Sequence, residues 1–548
     1  MENLERSLNN QQAWVSAPKI RENNNMESKS SEELEAQKEK DAALRFGGLS
    51  IGCFIYAIIY TFCMYENRES ITFPFFVGAT LYFFYYFTKK YYGTVPKNNR
   101  FLVVSMVILG LITCTTASTV IIQWNKLLIL ILLCVLLLKT YHDVSGWNVP
   151  KYLGSICYLI GGSLIQMFTP ISDAVSFYRY RQEREGKKEI SDQTKQRIFA
   201  IAAGFVIAIP MMLAVSLLLC GADVVFREAF GDVLDFIFDR EWNFLEVISD
   251  TVKICLTVLV FFLLSYGVLV YSRKKTGIEG FVQQKMTQWD SFVAITFCSL
   301  IGIIYVLFVW VQIAGLFMGK LELPYGYTYA EYARQGFFQL VFVCIFNACL
   351  VLVCISCFKK HRILQILLTI ISGCTYVMLV SSAYRMFMYI REYHLTFLRF
   401  LVLWGIVVIA VVMAGVIVAI YMDKFPLFSY MLVSITSLYI LFAAIHPDYV
   451  IARYNVAQRE QGQKIDECYL TDDLSLDAAG VVFEMLEQDI NSTKASAETT
   501  EGNNNTQNVA NWYYEHVTTQ TQDMGIRSFN FSKGIAGWKA EQFRENIK

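Results

Sequence analysis

Long apolar stretches alternate with short polar segments from residue 46 to residue 446. Most of them have few or no charges and reach about 18 to 20 residues, the length at which a helix crosses the hydrocarbon core of a bilayer. The pattern predicts an all-α fold, a polytopic transmembrane helical bundle of about 11 to 12 spans. The predicted spans are residues 46–64, 71–88, 101–122, 125–141, 150–170, 198–221, 249–271, 291–318, 337–358, 363–388, 397–421 and 427–446.

Both ends of the chain are polar. Residues 1–45 lack the apolar area that would offset the entropy of ordering them, so we expect a disordered N-terminal tail. Residues 447–548 carry nine Lys and Arg against sixteen Asp and Glu, with helical patterning on either side of an Asn- and Thr-rich stretch. They predict a small, acidic, helical soluble tail with a flexible linker at residues 491–510.

Composition supports this division of the chain. Apolar residues make up 55% and charged residues only 17%, which leaves too little polar surface to cover a soluble protein of 548 residues. Acidic and basic residues number 47 each, so no basic character points to a nucleic-acid partner. The expected partner is the lipid bilayer. We find no metal-binding or phosphate-binding motif, so we predict no metal, no cofactor and no catalytic residue.

Orientation follows from the basic residues, which resist translocation when they lie in short loops. Clusters of seven, four and three follow the predicted spans that end at residues 170, 271 and 358, and we assign these loops to the cytoplasm. Span parity then puts the N-terminal tail in the cytoplasm and the C-terminal tail outside a plasma membrane. Basic residues at 89–100 disagree with that parity unless one segment between residues 101 and 170 is re-entrant or two of these segments form one unit. The best candidate is 150–170, which contains Gly161, Gly162 and Gln166.

An amphipathic segment precedes the predicted span at 249–271. Across residues 225–240, apolar and acidic side chains repeat in steps of three and four on opposite faces. We therefore expect an interfacial helix over residues 223–248, apolar face toward the membrane. Its acidic face is either solvated or concentrates a cation. Asp223, at its start, is either a helix N-cap or part of a polar route.

Several polar residues of the later spans are candidates for function. Glu331 forms a capping box with Thr328 or, with Arg334, guards an entrance in the Tyr-rich loop between two spans. Arg385 either snorkels to the membrane surface or faces inward and pairs with an acid such as Glu322 or Glu331. Gln312 and Asn347 are mid-span amides that we expect to bond between helices.

Several segments taken in order resemble known families. They are residues 222–226 (ADVVF), 305–312 (YVLFVWVQ), 326–338 (GYTYAEYARQGFF), 385–389 (RMFMY), 451–455 (IARYN), 469–470 (YL), 474–478 (LSLDA) and 527–531 (RSFNF). Together they resemble the membrane families called domain of unknown function 4173 and its relative 4153. The resemblance implies a bacterial multi-pass protein of unassigned activity and supplies no catalytic residues.

Two functions from different classes fit these features. The first is a transporter or permease for a small molecule or lipid, with Asp223, Glu331, Arg334 and Arg385 along a polar route. The second is a membrane sensor or scaffold that presents the C-terminal tail and the Tyr-rich loop to a protein partner. The first predicts that the polar groups converge, and the second that they are spread along the rim. An intramembrane enzyme ranks below both, for want of a nucleophile or metal set.

Overall fold

The computed structural model describes residues 31–67, 69–92, 99–144, 146–185, 244–273, 289–314, 337–422, 424–496, 500–522 and 524–547. Helices dominate this part of the chain, and its only β-type pairing is an isolated bridge between Trp289 and Phe358. The all-α prediction is confirmed. The predicted span at 198–221, Asp223 and most of the predicted interfacial helix 223–248 lie outside the described residues.

The helices before the tail follow the apolar pattern. They are α1 Ser31–Met64, α2 Thr72–Tyr92, α3 Arg100–Thr115, α4 Thr119–Tyr141, α5 Val149–Ile165, α6 Thr169–Glu185, α7 Phe244–Ser272, α8 Ser291–Gln312, α9 Phe337–Cys357, α10 Arg362–Tyr393, α11 Phe397–Tyr421 and α12 Leu427–Ala444. A short 3₁₀ segment, Gln166–Phe168, joins α5 to α6. Among the described residues, nine helical runs are long and apolar enough to cross a membrane. The chain is therefore a multi-pass membrane protein.

One predicted span is wrong in its limits. Residues 101–122 do not form a single helix, because α3 ends at Thr115 and α4 begins at Thr119. Thr116 is extended, and its hydroxyl accepts a hydrogen bond from the Ser118 backbone N–H at 3.1 Å. Hydroxyl side chains that bond locally to the backbone compete with helix formation, and here they break the helix.

Two predicted flexible segments contain helix. Residues 31–45 belong to α1, although the pattern predicted disorder up to residue 45. Residues 491–496 and 500–510 are likewise helical, within the predicted linker 491–510. In the first case a tertiary contact supplies what the local sequence lacks, since the Arg45 guanidinium binds Asp173 of α6.

The chain divides into two compact units. The first comprises residues 1–66, 79–95 and 159–274. Within it, Arg45 makes two 2.6 Å bonds to the Asp173 carboxylate, which also accepts a 2.7 Å bond from Tyr266. These three residues tie α1, α6 and α7 together. Gly267 permits the close approach of α7 and α5, because a Cβ there would lie 2.6 Å from the Ser163 carbonyl oxygen.

The second unit comprises residues 67–78, 96–158 and 275–548. In it, α8 to α11 enclose two apolar clusters. One includes Cys354, Leu364 and Ile420, and the other includes Leu340, Met378 and Leu395. A layer of buried polar residues lies between them.

The C-terminal tail belongs to the second unit and is helical, as predicted. Its helices are α13 Pro447–Glu460, α14 Ala479–Ser496, α15 Thr500–Thr521 and α16 Phe531–Ile547. The rings of Phe483, Tyr513 and Phe543 lie together in its core, with the Phe483 ring centroid 5.0 and 4.9 Å from the other two. Residues 447–548 thus have an apolar core of their own.

Candidate functional site

A buried polar group joins the end of α8 to α10. The Gln312 Oε1 atom accepts hydrogen bonds from Ser381 Oγ at 2.9 Å and from Arg385 Nη2 at 3.2 Å. Arg385 is only 5% exposed. Of the two interpretations of Arg385, the structure supports the inward-facing one. The acids proposed as its partners, Glu322 and Glu331, lie outside the described residues, as does Arg334.

A second polar layer lies two turns deeper along α8, about 10 Å from the first at 1.5 Å per residue. The Tyr305 hydroxyl donates to Asn347 Oδ1 at 2.6 Å, and Asn347 Nδ2 donates to Thr375 Oγ1 at 3.0 Å. Gln312 and Asn347 therefore both bond between helices, as the sequence predicted. Because hydrocarbon offers no partner to an amide, these bonds satisfy groups that would otherwise be costly to bury.

The carboxylate of Asp477 is the centre of a second polar cluster, where the tail meets the interhelical loops. Its side chain is 2% exposed. It accepts hydrogen bonds from Thr116 Oγ1 at 2.5 Å, from the Ala117 N–H at 2.6 Å and from Ser532 Oγ, and His446 Nδ1 lies 3.3 Å away. One carboxylate thus joins the α3–α4 loop, the start of α16 and the end of the last span.

Electrostatics at this cluster favour the ionised pair. Burial raises the pKa of Asp477, but the hydrogen bonds from His446, Ser532, Thr116 and Ala117 outweigh burial and bring the pKa below its ordinary value. The hydrogen bond to Asp477 raises the pKa of His446, against the opposing effect of burial. The two groups stabilise each other's charged form.

Further bonds fix the loops that precede α2 and α11. Asn530 Nδ2 donates to the carbonyl oxygens of Glu69 at 2.6 Å and Thr116 at 2.9 Å, while the Ile71 N–H donates to the Phe529 carbonyl at 2.8 Å. Asn455 exchanges two bonds with the backbone of Leu395, at 3.0 and 2.9 Å. The tail is therefore attached to the α1–α2, α3–α4 and α10–α11 loops and to the residues that follow α12.

An open cleft of about 560 Å³ lies beside Asp477. It is lined by α13, α14, α16 and the ends of α3 and α12. Its charged residues include Arg453, Glu484 and Lys539, and its apolar rim includes Tyr449 and Ile535. The cleft can therefore contact both a charged group and an apolar chain.

Residues 101–485 match the family model described as Domain of unknown function (DUF4153), which covers more than two thirds of the chain. The chain belongs to the DUF4153 family. Neither a curated protein nor a solved structure matches this DUF4153 protein. Its resemblance to the related family 4173 stays a prediction.

Sequence reasoning missed Asp477, Asn530 and Ser532 as parts of one site. The missed signal was the set of motifs that carry the family resemblance. Segments 451–455, 474–478 and 527–531 are far apart in sequence, yet Arg453, Asp477 and Asn530 all lie where the tail joins the helices. In this DUF4153 protein, those motifs belong to a junction rather than to separate sites.

Proposed function

We propose that this DUF4153 protein is permease-like and handles an anionic small molecule or lipid through the α8–α10 region. The observation that carries the proposal is the burial of Arg385 between helices of a membrane domain. Removing an arginine from water costs several kcal/mol unless the protein supplies partners, so arginines buried in membrane domains often mark substrate pathways. A guanidinium forms strong, paired hydrogen bonds with carboxylates and phosphates, which favours an anionic substrate.

Accessibility to water tests this function without knowledge of the substrate. Ser381→Cys places a thiol beside Gln312 with little change in shape, in a Cys468→Ser background that removes an exposed thiol of the tail. A membrane-impermeant thiol reagent added to intact cells should modify Cys at 381. The control is Phe387→Cys, because Phe387 is exposed on the outer surface of α10 and should face lipid. Absence of labelling at 381 would leave Arg385 a purely structural residue and refute the proposal.

We also propose that the tail lies outside a bacterial plasma membrane and the N-terminus in the cytoplasm. α10 has 32 residues and is about 48 Å long at 1.5 Å per residue, which exceeds the hydrocarbon thickness of about 30 Å. The α9–α10 connection and the first residue of α10 carry Lys359, Lys360 and Arg362, whereas the α3–α4 loop, which contacts the tail, carries no Lys or Arg at residues 116–118, and the α10–α11 loop is flanked by two, Arg391 and Arg399. This asymmetry supports a cytoplasmic α9–α10 connection.

Span parity gives the number of crossings. Residues 116–118 and 394–396 both contact the tail, so the chain between them crosses an even number of times. The described part contains six apolar helical runs there, and the predicted span 198–221 would be a seventh. One of them must then fail to cross. The segment with Gly161, Gly162 and the 3₁₀ turn at Gln166–Phe168 remains our candidate, which supports 11 spans in total.

A second candidate function is a sensor or scaffold. The observation in its favour is the attachment of the tail to three interhelical loops and to the end of α12, which would transmit a binding event at the tail to the helices. The same accessibility experiment separates the two functions, since a scaffold requires no aqueous route at residue 381.

A further inference from the structure

We propose that the cleft at the base of the tail binds the headgroup of a phospholipid from the adjoining leaflet, with Arg453 and Lys539 as ligands of the phosphate. The residues that carry this inference differ from those around Arg385. It therefore goes beyond the proposed permease function and stands or falls separately.

Size and position come first. The cleft holds about 560 Å³, within the range of roughly 300 to 1,000 Å³ typical of small-molecule sites. It lies where α13 follows the last membrane span, with Ile445 and His446 between the two helices. A site at that level is adjacent to the headgroup layer of the leaflet that faces the tail.

Arg453 is available for a ligand, whereas Lys539 is shared with one exposed carboxylate. Arg453 is exposed, and within the described part of the chain no carboxylate lies within ion-pair distance of it. On the same helix, Arg459 contrasts with it, since it pairs with Asp489 at 2.8 Å and Glu467 at 3.0 Å. Lys539 makes a 3.5 Å contact with Glu484, which is itself exposed.

The carboxylate of Asp477 does not neutralise the positive charges of Arg453 and Lys539. Its carboxylate is buried and is already bound by Thr116, Ala117 and Ser532, as described above. Phosphate oxygens are the acceptors that guanidinium and ammonium groups bind most strongly, through charge-assisted hydrogen bonds. Glu484 then offers a partner for an ammonium, so a headgroup such as phosphatidylethanolamine fits both signs of charge.

The rim of the cleft favours a lipid over a free phosphate. Ile535 is 60% exposed and lies on one face of α16 with Phe531 and Trp538, which are also exposed. The opposite face of α16, which includes Ala536 and Ala540, is buried in the tail. An aromatic and aliphatic face of this kind is typical of helices at the membrane surface.

The same apolar surface continues down the last span. Leu441, one turn before Ile445 on α12, is 59% exposed, and α12 is one of the helices apolar enough to cross the membrane. Ile445 and Tyr449 then line the cleft. An acyl chain along α12 would therefore leave its headgroup phosphate at the level of the cleft.

Lipid retention by the purified full-length protein in a neutral detergent tests the site. Native mass spectrometry would count bound lipid after titration with phosphatidylethanolamine, phosphatidylglycerol or diacylglycerol, and with the water-soluble phosphorylethanolamine. We expect one retained phosphatidylethanolamine, weaker phosphatidylglycerol and no retained diacylglycerol. Arg453→Gln and Lys539→Gln should each weaken retention about tenfold, as expected for loss of a charge-assisted bond. Lys464→Gln, at an exposed lysine outside the cleft, should change nothing.

Several results would overturn the site. Equal retention by the Arg453→Gln and Lys539→Gln double variant and the wild type would exclude phosphate binding in the cleft. Equal retention of diacylglycerol would reduce the cleft to an apolar contact, and tight binding of phosphorylethanolamine alone would make the ligand a soluble anion. An unchanged unfolding temperature in each variant shows that the fold is intact. Labelling at residue 381 reports on the permease separately, so each proposal can fail alone.

Discussion

Asp477→Ala should release the tail from the interhelical loops. The substitution removes the single acceptor shared by Thr116 Oγ1, the Ala117 N–H and Ser532 Oγ, and it leaves these donors in a buried setting. An unsatisfied buried donor costs about 1 to 3 kcal/mol, and loss of one partner from a buried charged cluster costs about 3 to 5 kcal/mol in all. The loss of the contact with His446 adds no separate cost to this sum, because the His446 side chain is partly exposed. Docking of the tail should therefore weaken by about 3 to 5 kcal/mol.

Hydrogen exchange at Ile71 measures this docking at a bond that the substitution does not touch. The Ile71 N–H donates to the Phe529 carbonyl at 2.8 Å, so its exchange requires the tail to leave the α1–α2 loop. Because 1.4 kcal/mol is a factor of ten, exchange in a peptide that covers residue 71 should accelerate by about 100-fold or more. Asp477→Asn keeps the shape and one acceptor, and its effect should be intermediate.

The matched control is Asp473→Ala, which removes the same charge four residues earlier from an exposed position. It should leave exchange at Ile71 unchanged. If Asp477→Ala accelerated that exchange by less than about threefold, the carboxylate would not be the clamp that its hydrogen bonds suggest.

Three further predictions concern pH, topology and helix packing. The pKa of His446 is raised in the folded protein, so the stabilisation of docking by His446 is complete below its unfolded pKa of about 6.5 and is lost as the pH rises through its folded pKa. Hydrogen exchange at Ile71, corrected for the intrinsic pH dependence of exchange, should therefore accelerate over that pH range. His446→Gln should abolish this pH dependence. Cys468 is exposed in the tail and should react with an impermeant thiol reagent on intact cells, whereas Lys359→Cys, tested in a Cys468→Ser background, should react only after permeabilisation; the reverse pattern would invert the topology. Gly267→Ala should lower stability by about 1 to 3 kcal/mol, because its Cβ would lie 2.6 Å from a carbonyl oxygen. Gly302→Ala should be neutral or slightly stabilising in thermal unfolding, because its Cβ would meet no atom of the described residues within 4 Å.

The membrane part of the fold could be predicted because lipid imposes one rule. Backbone groups in hydrocarbon must be bonded within their own segment, so long apolar stretches become helices whatever their neighbours are. The same rule correctly predicted that Gln312 and Asn347 would bond between helices, because an amide in hydrocarbon needs a partner. It could not predict the break at Thr116, where the hydroxyls compete with the helix and the Thr116 side chain bonds to a carboxylate 361 residues away.

The tail junction was beyond such local reasoning. Asp477 looks like an ordinary acid near a helix start, and nothing in its spacing points to Thr116 or Ser532. Only the contact itself turns three separated polar residues into a buried cluster. The motifs at 474–478 and 527–531 did signal importance, but they carried no information on which residues meet.

The attachments of the tail limit which helices can move. Loops 116–118 and 394–396 and the end of α12 are bonded to the tail, so α3, α4, α10, α11 and α12 share a fixed end. α8 is less buried than α10, and within the described residues Gln312 and Tyr305 hold it to its neighbours through side-chain bonds. Only its start is fixed to α9 through the backbone, where the Trp289 N–H donates to the Cys357 carbonyl at 2.9 Å and the Trp289 carbonyl accepts from the Lys359 N–H at 3.1 Å. Rearrangement at the fixed ends would have to break the Asp477 cluster, at a cost of about 3 to 5 kcal/mol. Under the proposed permease function, a route past Arg385 would therefore open most readily by movement of the Gln312 end of α8, with the tail and its loops as the stationary part.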